Sequence, residues 1–330
     1  MHRIVIGAHA LLALALALYC VCWAYLLGRQ FDWWSLIKLP AALLGVILAL
    51  MALDSAIGFG RQAITPLRPI ELIVSGSGST RLLVLPGFNQ DGAALEPVLG
   101  PRLPNHQLIT YRLPRDGIDQ AAILAALEAQ LSRNPGQPLD AYVESAGALD
   151  LAQLLRRNPG LHIRRLVINA GMSSWQTANI GHGLQVSRIL PGGPISTMAL
   201  RLVQRRNVRN SPPLEAGADQ QAAKAAQHNT LNITGAQAFG QMRSMAGTPA
   251  VKPGEFAGRI GNVQYLHAPV PNGSDAFVHV NQASAGWIAA VGPSTSFVDT
   301  TIESWGAGAH APTPERPSAV VAAIQDVTAA

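Results

Sequence analysis

The sequence of 330 residues has few charged side chains, only two cysteines, and none of the motifs that commonly bind metals or phosphates. It contains no metal-ligand spacing, glycine-rich phosphate loop or internal repeat, so we predict no metal and no other cofactor. It also has no basic patch interleaved with aromatic residues, and nucleic acid is therefore not a predicted partner. Both cysteines, Cys20 and Cys22, lie close to the N-terminus, so cysteine usage does not identify the compartment of the remaining chain.

Charge is absent from two stretches near the N-terminus. The first, Ile4 to Leu27, has no Asp, Glu, Lys or Arg over about 24 residues, enough for a helix rising about 1.5 Å per residue to cross a bilayer about 30 Å thick. The second, Leu39 to Leu53, is lengthened at its start if Lys38 extends toward the lipid headgroups. Trp33 and Trp34 lie between the two stretches and are typical of a membrane interface. We predict two transmembrane helices, at about 4–27 and 36–57, in an N-terminal unit of residues 1–60.

Each predicted span has an alternative interpretation. A secretory signal peptide competes for the first, although the apolar run is long for such a peptide and no small-x-small cleavage site follows it. A re-entrant or interfacial segment competes for the second, which has only about fifteen uncharged residues. Positive charge is slightly more frequent outside the two predicted spans, at Arg3, Arg61 and Arg68, than in the turn between them, which has Arg29 and Lys38. This small excess favours a cytoplasmic position for the two ends of the hairpin. The predicted location is the cell inner membrane, as a multi-pass protein whose main domain is cytoplasmic.

The segment Ala141 to Leu149 has the pattern of a buried strand that runs directly into a helix, with Ser145 at the corner. A serine on such a tight turn projects its hydroxyl from the edge of the sheet, and the next backbone N–H, that of Ala146, can hold an oxyanion. Val143 replaces the first glycine of the pattern G-x-S-x-G, so a branched side chain must find room beside the helix. The pattern predicts a nucleophile for acyl transfer, and a serine that only caps the helix is the alternative.

An acid and a histidine follow Ser145 in the chain order that this kind of scaffold uses. Asp275 lies in a turn-rich loop after a predicted strand, and His310 lies in a loop before the last predicted helix. An ordinary turn residue is the alternative for Asp275. Asp299 is the rival acid, although it falls inside a predicted strand.

With these residues in this order, roughly residues 70–330 resemble the α/β-hydrolase superfamily. The segment Thr80 to Asn89 is similar to the family's strand and His-Gly-x turn, with Pro86 in place of the histidine. The resemblance implies an oxyanion hole formed by the backbone N–H groups of Phe88 and Ala146, with Asn89 as the alternative to Phe88. It also implies an α/β fold with a mostly parallel central sheet over residues 61–330 and a helical cap inserted at about 172–258.

The mechanism implied by the resemblance makes Ser145 the nucleophile, His310 the general base and then the general acid, and Asp275 the group that orients the imidazole. The predicted substrate-binding residues are Asn89, Glu144 and Trp175. A surface or hydrogen-bonding role is the alternative for Glu144, and core packing is the alternative for Trp175.

The predicted function is a membrane-anchored serine hydrolase that cleaves a carboxylic ester. Its predicted partners are a small-molecule or lipid-derived ester and the membrane lipids. A thioesterase, an amidase or an acyltransferase would use the same groups, and a noncatalytic membrane subunit for binding or assembly is the alternative outside the enzymes. The basic segment Arg201 to Arg209 is suited to acidic lipid headgroups or an anionic substrate, with a solvated helix face as the alternative.

Overall fold

A computed structural model describes most of the chain after the first predicted span. The described residues are 45, 49–50, 52–58, 60–61, 64, 67, 69–115, 117–179, 192–209, 213–216 and 220–326. No helix among them is long and apolar enough to cross a membrane. The predicted span 4–27 lies outside the described residues, as does much of the predicted span 36–57.

A seven-stranded sheet forms the centre of the described part of the chain, in the order β1-β3-β2-β4-β5-β6-β7. Its strands are β1 (Leu72–Ser75), β2 (Thr80–Leu85), β3 (His106–Tyr111), β4 (Leu139–Glu144), β5 (Ile163–Asn169), β6 (Ile260–His267) and β7 (Ser296–Thr301). Only β1 is antiparallel to its neighbour, and every other pairing in the sheet is parallel. The predicted mostly parallel sheet is therefore confirmed.

Helices cover both faces of the sheet, as parallel strands with near-continuous apolar sequences require. The helices are α1 (Gly92–Leu99), α2 (Gln120–Leu131), α3 (Gly147–Arg157), α4 (Pro194–Arg209), α5 (Gln220–Leu231), α6 (Gly235–Gly247), α7 (Val280–Val291) and α8 (Ser318–Gln325). Side chains alternate across a strand, so Leu83 and Leu85 of β2 pack in the layer that contains α2, α3 and α7. Leu82 and Val84 pack on the opposite face with α1 and α8.

Among the described residues between β5 and β6, the helices α4 to α6 form a helical insertion. The first of them is held at its N-terminus by Asp54, a buried residue near the end of the predicted second span. The Asp54 carboxylate accepts hydrogen bonds from the backbone N–H groups of Gly193 at 3.1 Å, Ile195 at 2.8 Å and Ser196 at 3.3 Å. An anionic side chain at this end satisfies helix N–H groups that lack an intrahelical partner. The chain just ahead of the sheet is thus attached to the insertion.

Candidate active site

The turn between β4 and α3 places Ser145 in a left-handed backbone conformation, with φ of 50°. A non-glycine residue pays about 1 to 3 kcal/mol for such a conformation, so the surrounding contacts must fix it. The Ser145 N–H donates to the carbonyl oxygen of Asn169 at 2.9 Å, and the Ser145 carbonyl accepts from the Met172 N–H at 3.0 Å. At Gly147 an added Cβ would lie only 2.4 Å from the Leu85 carbonyl oxygen, so glycine is required for β2 and α3 to approach this closely.

The side chain of Val143 fits without displacing this turn. It is fully buried in the core layer that contains α2, α3 and α7. The first glycine of the G-x-S-x-G pattern is therefore replaced here by a residue that packs in the core instead of crowding the corner.

The structure brings Ser145, His310 and Asp275 together from three loops that follow the C-terminal ends of β4, β7 and β6. The His310 imidazole lies between the other two side chains, with Nε2 2.8 Å from Ser145 Oγ and Nδ1 2.7 Å from Asp275 Oδ2. The other carboxylate oxygen of Asp275 accepts from the N–H groups of Phe277 and Val278, both at 2.7 Å. These bonds fix the carboxylate and leave one oxygen directed at the imidazole.

Backbone N–H groups next to Ser145 differ in whether they already have a partner. The loop after β2 approaches the turn at Ser145 so closely that a Cβ on Gly87 would lie 3.1 Å from Ser145 Cβ. In this loop the Gly87 N–H donates to Gln90 Oε1 at 3.1 Å, and the Asn89 N–H donates to Gln241 Oε1 at 2.8 Å. The Phe88 N–H between them has no hydrogen-bond partner among the residues that the structure describes.

The Ala146 N–H is likewise without a partner in the described part of the chain. Of the two residues that the sequence leaves open for the loop after β2, Asn89 thus has its N–H paired with Gln241, whereas the Phe88 N–H is unpaired as far as the described residues show. The two free groups, on Phe88 and Ala146, can both donate to one oxygen atom bound beside Ser145.

A buried polar network lies beneath Ser145 and is centred on Glu144. Gln90 Nε2 donates to one Glu144 carboxylate oxygen at 2.5 Å, and the Tyr142 hydroxyl donates to the other at 3.0 Å. The Tyr142 hydroxyl also lies 2.6 Å from Thr313 Oγ1, in the loop that carries His310. Asn169 Nδ2 donates to both hydroxyl oxygens. Burial raises the pKa of Glu144 to about 7, against the opposing effect of these donors.

Glu144, one of the three predicted substrate-binding residues, lies in the interior and has the hydrogen bonds of the alternative role and not an exposed position. Its side chain has 0% of its area exposed, because β4 ends in the interior just before the serine. Its hydrogen bonds connect the Gly87 loop, through Gln90, to the His310 loop, through Tyr142 and Thr313. Glu144 therefore braces two loops of the site from below.

The other two predicted substrate-binding residues lie beside the site in different environments. Trp175 begins a short 3₁₀ helix, Trp175–Thr177, and packs partly buried against the core. Asn89 is 4% exposed and has a positive φ of 64°, and both polar atoms of its side chain lack a hydrogen-bond partner among the described residues.

A second cluster of a serine, an aspartate and a histidine lies on β6, β7 and α7. Ser284 Oγ donates to Asp299 Oδ2 at 2.6 Å, and Asp299 Oδ1 lies 3.1 Å from His267 Nε2. The hydrogen bond with Asp299 raises the pKa of His267. In this cluster the serine contacts the carboxylate and not the imidazole, so the imidazole is not placed to accept its proton. The rival acid Asp299 thus pairs with His267, whereas His310 pairs with Asp275.

Sequence reasoning missed the two glutamines that hold the loop after β2. Gln90 directly follows the segment Thr80 to Asn89 that resembles the family turn, and no other feature of the sequence marks it. Gln241 lies on α6, 152 residues from Asn89, and no local pattern marks it. Its Nε2 also lies 3.5 Å from the Gly87 carbonyl, so one amide side chain of the insertion contacts both ends of the loop turn.

Comparisons with known proteins identify the fold. No protein-family model and no curated protein sequence matches the chain. Among solved structures, a thermophilic esterase from Thermogutta terrifontis matches with a TM-score of 0.54 at 12% identity, covering 77% of this chain and 91% of that one. The esterase RhEst1 from Rhodococcus sp. ECU1013 matches with a TM-score of 0.51 at 18% identity, covering 79% and 97%. The type II thioesterase BorB from the borrelidin biosynthetic cluster gives 0.51 at 17%, covering 79% and 98%. Together with the sheet order and the serine turn after β4, these matches show that the chain has the α/β-hydrolase fold.

Proposed function

We propose that the chain is a membrane-anchored serine hydrolase that cleaves a carboxylic ester through an acyl-enzyme intermediate. The observation that carries the proposal is the position of the His310 imidazole, 2.8 Å from Ser145 Oγ on one side and 2.7 Å from Asp275 Oδ2 on the other. Nucleophile, base and orienting acid are recognised by this geometry and not by their places in a sequence. Two of the structures that share the fold are esterases, and an ester is accordingly the substrate class we propose.

In the proposed reaction the Ser145 hydroxyl oxygen attacks the ester carbonyl carbon while His310 Nε2 takes the hydroxyl proton. The negative charge that develops on the carbonyl oxygen is held by the N–H groups of Phe88 and Ala146. Asp275 accepts a hydrogen bond from the Nδ1–H group of the imidazolium, remains a carboxylate, and stabilises the positive charge on the ring. His310 then gives its proton to the departing alkoxide, and the acyl group stays on Ser145. In the second half of the reaction His310 takes a proton from water, the water oxygen attacks the acyl carbon, and His310 returns the proton to Ser145 Oγ as the acid leaves.

The two free N–H groups supply the electrostatic part of this mechanism. Removal of one such donor costs about 2.7 to 4 kcal/mol of transition-state stabilisation, so the position of the Phe88 loop matters as much as that of the triad. Gln241 above the loop and Gln90 below it occupy the neighbouring N–H groups and direct the Phe88 N–H toward the site.

Membrane attachment is part of the proposal and is supported by the uncharged stretch from Ile4 to Leu27. The proposed second span has its uncharged part at Leu39 to Leu53, and the next residue, Asp54, is bonded to the start of α4. The insertion would therefore lie next to the bilayer, with a lipid-derived ester as a substrate that enters from the membrane. We propose that the domain is cytoplasmic. Protease treatment of intact spheroplasts tests this, because cleavage of the domain without lysis would reject it.

Labelling with a fluorophosphonate probe tests the proposed reaction. We expect the detergent-solubilised full chain to be labelled, and Ser145→Ala to abolish the labelling. Ser284→Ala is the matched control, because Ser284 belongs to a cluster of the same three residue types but contacts a carboxylate instead of an imidazole. Labelling that persists in Ser145→Ala would refute the assignment, and a folded wild-type chain without labelling would favour a noncatalytic binding subunit.

A further inference from the structure

A small, partly open cavity of about 10 Å³, large enough for one compact polar group, lies between α2, α3 and the insertion helix α6, with Ala146 in its wall. Pro86 and Ala146 form the side toward the nucleophile turn, and Ile123 and Met245 contribute apolar wall. The polar part of the wall includes Asp150. Through Pro86 and Ala146 the cavity adjoins the turn that carries Ser145.

Asp150 is a carboxyl group without a cationic partner. It lies in the first turn of α3, where its Oδ1 accepts from Gln120 Nε2 at 2.7 Å and its Oδ2 lies 3.3 Å from the Tyr111 hydroxyl. Both donors are neutral, and no arginine, lysine or histidine among the described residues pairs with it. Burial raises the pKa of Asp150 to about 7, so the group carries a negative charge at slightly alkaline pH.

Asp150 and Ser244 in the cavity wall can accept more hydrogen bonds than the described residues supply. A carboxylate offers about four acceptor positions, of which the neighbouring side chains occupy two. Ser244 Oγ, on the same cavity, is buried and has no hydrogen-bond partner among the described residues. A purely structural link between α2 and α3 would be served equally by a neutral amide, which carries no charge to bury. An acidic wall with free acceptors is instead complementary to a cationic donor.

We propose that this cavity binds the ammonium group of an amine-bearing ester, with Asp150 as its anionic partner and Ser244 Oγ as a further acceptor. The inference rests on the proposed function and names its substrate class. Ala146 and Asp150 are four residues apart, about 6 Å along the helix axis, so a short aliphatic chain between carbonyl and amine spans the distance. A neutral hydroxyl would find the same acceptors without the charge attraction, and a carboxylate would be repelled.

Protection from fluorophosphonate labelling by three small molecules of equal length tests the inference. The probes are n-butylammonium chloride, n-butanol and sodium butyrate, each titrated at pH 8 and constant ionic strength against the full chain. We expect butylammonium to halve the labelling rate at a concentration about tenfold below that of butanol, and butyrate to have no effect. Equal protection by butylammonium and butanol in the wild-type chain would overturn the inference without any variant.

Two variants test whether Asp150 is the cause of the preference for butylammonium. In Asp150→Asn the preference for butylammonium over butanol should disappear, whereas Asp299→Asn, which removes a carboxyl distant from the cavity, should keep it. A preference that survives in Asp150→Asn would also overturn the inference. The rise in unfolding temperature on adding butylammonium to the wild-type chain gives a second measurement that does not depend on catalysis. If the amine stabilises the wild type but no labelling occurs, the proposed function fails while the ammonium site stands.

Discussion

Replacing Glu144 by glutamine should make the protein more stable at alkaline pH and change little at acidic pH. Glu144 ionises near pH 4.5 in the unfolded chain, whereas burial holds its pKa at about 7 in the folded chain. Between these values the folded state keeps a proton that the unfolded state has lost, so stability falls as pH rises from about 4.5 to 7. The loss is complete above pH 7. A glutamine carries no charge and removes this loss.

The size of the effect follows from the two pKa values. A carboxyl held at about 7 instead of 4.5 costs about 3 kcal/mol at pH 8. The glutamine can keep the geometry, because its oxygen accepts from Gln90 and its amide group can donate to the Tyr142 hydroxyl. In a domain of this size about 3 kcal/mol corresponds to a shift of about 6 °C in the unfolding temperature.

Thermal unfolding of the wild type and Glu144→Gln at pH 4.5 and pH 8 measures the effect. The unfolding temperature of the variant minus that of the wild type should be about 6 °C larger at pH 8 than at pH 4.5. Glu303→Gln, an exposed carboxyl, is the matched control and should show no such change. A difference between wild type and Glu144→Gln that is the same at both pH values would refute the reasoning, because it would mean that Glu144 does not titrate differently in the folded and unfolded chains.

Three further predictions follow from the same contacts. Gln241→Ala should lower kcat/KM for p-nitrophenyl butyrate about fivefold with little change in unfolding temperature, because a hydrogen bond worth about 1 kcal/mol no longer holds the loop after β2. Gly147→Ala should lower the free energy of unfolding by about 1 to 3 kcal/mol, as measured in urea, because its Cβ would lie 2.4 Å from the Leu85 carbonyl oxygen. His267→Gln should destabilise below pH 6 and progressively less at higher pH, because Asp299 raises the pKa of His267 and that stabilisation is lost as pH rises through the raised value. Unfolding temperatures that show the same His267→Gln loss at pH 6 and pH 9 would contradict this.

The fold was predictable from the sequence because its strands carry a local signal. The run Thr80 to Leu85 is apolar on both faces after its first two residues, as a strand covered by helices on both sides requires. The turn at Ser145 was equally local, since strand, serine and Gly147 are contiguous. The loops with Asp275 and His310 could be found only through chain order, because neither loop has a distinctive pattern of its own.

The bracing of the site was not predictable, because it depends on contacts between distant segments. Glu144 adjoins Ser145 in sequence, but its burial follows from Thr313 and Tyr142 closing over it, and no spacing rule encodes that contact. Asp150 is one helical turn beyond the serine turn, and its significance comes from α6 forming the opposite wall of the cavity. Amide and carboxyl side chains that act in this way have no periodicity by which a sequence could reveal them.

The two clusters of serine, aspartate and histidine in one domain show why geometry has to decide function here. Both contain the same three side chains at hydrogen-bonding distances, but only in the cluster of Ser145 does the imidazole lie between the other two groups. The backbone around Ser145 supplies the second distinction. A backbone N–H without a partner is costly in a protein interior, and the neighbouring N–H groups of Gly87, Asn89 and Ser145 are all paired. The N–H groups of Phe88 and Ala146 have no partner among the described residues, and an oxygen atom bound beside Ser145 could accept from both of them.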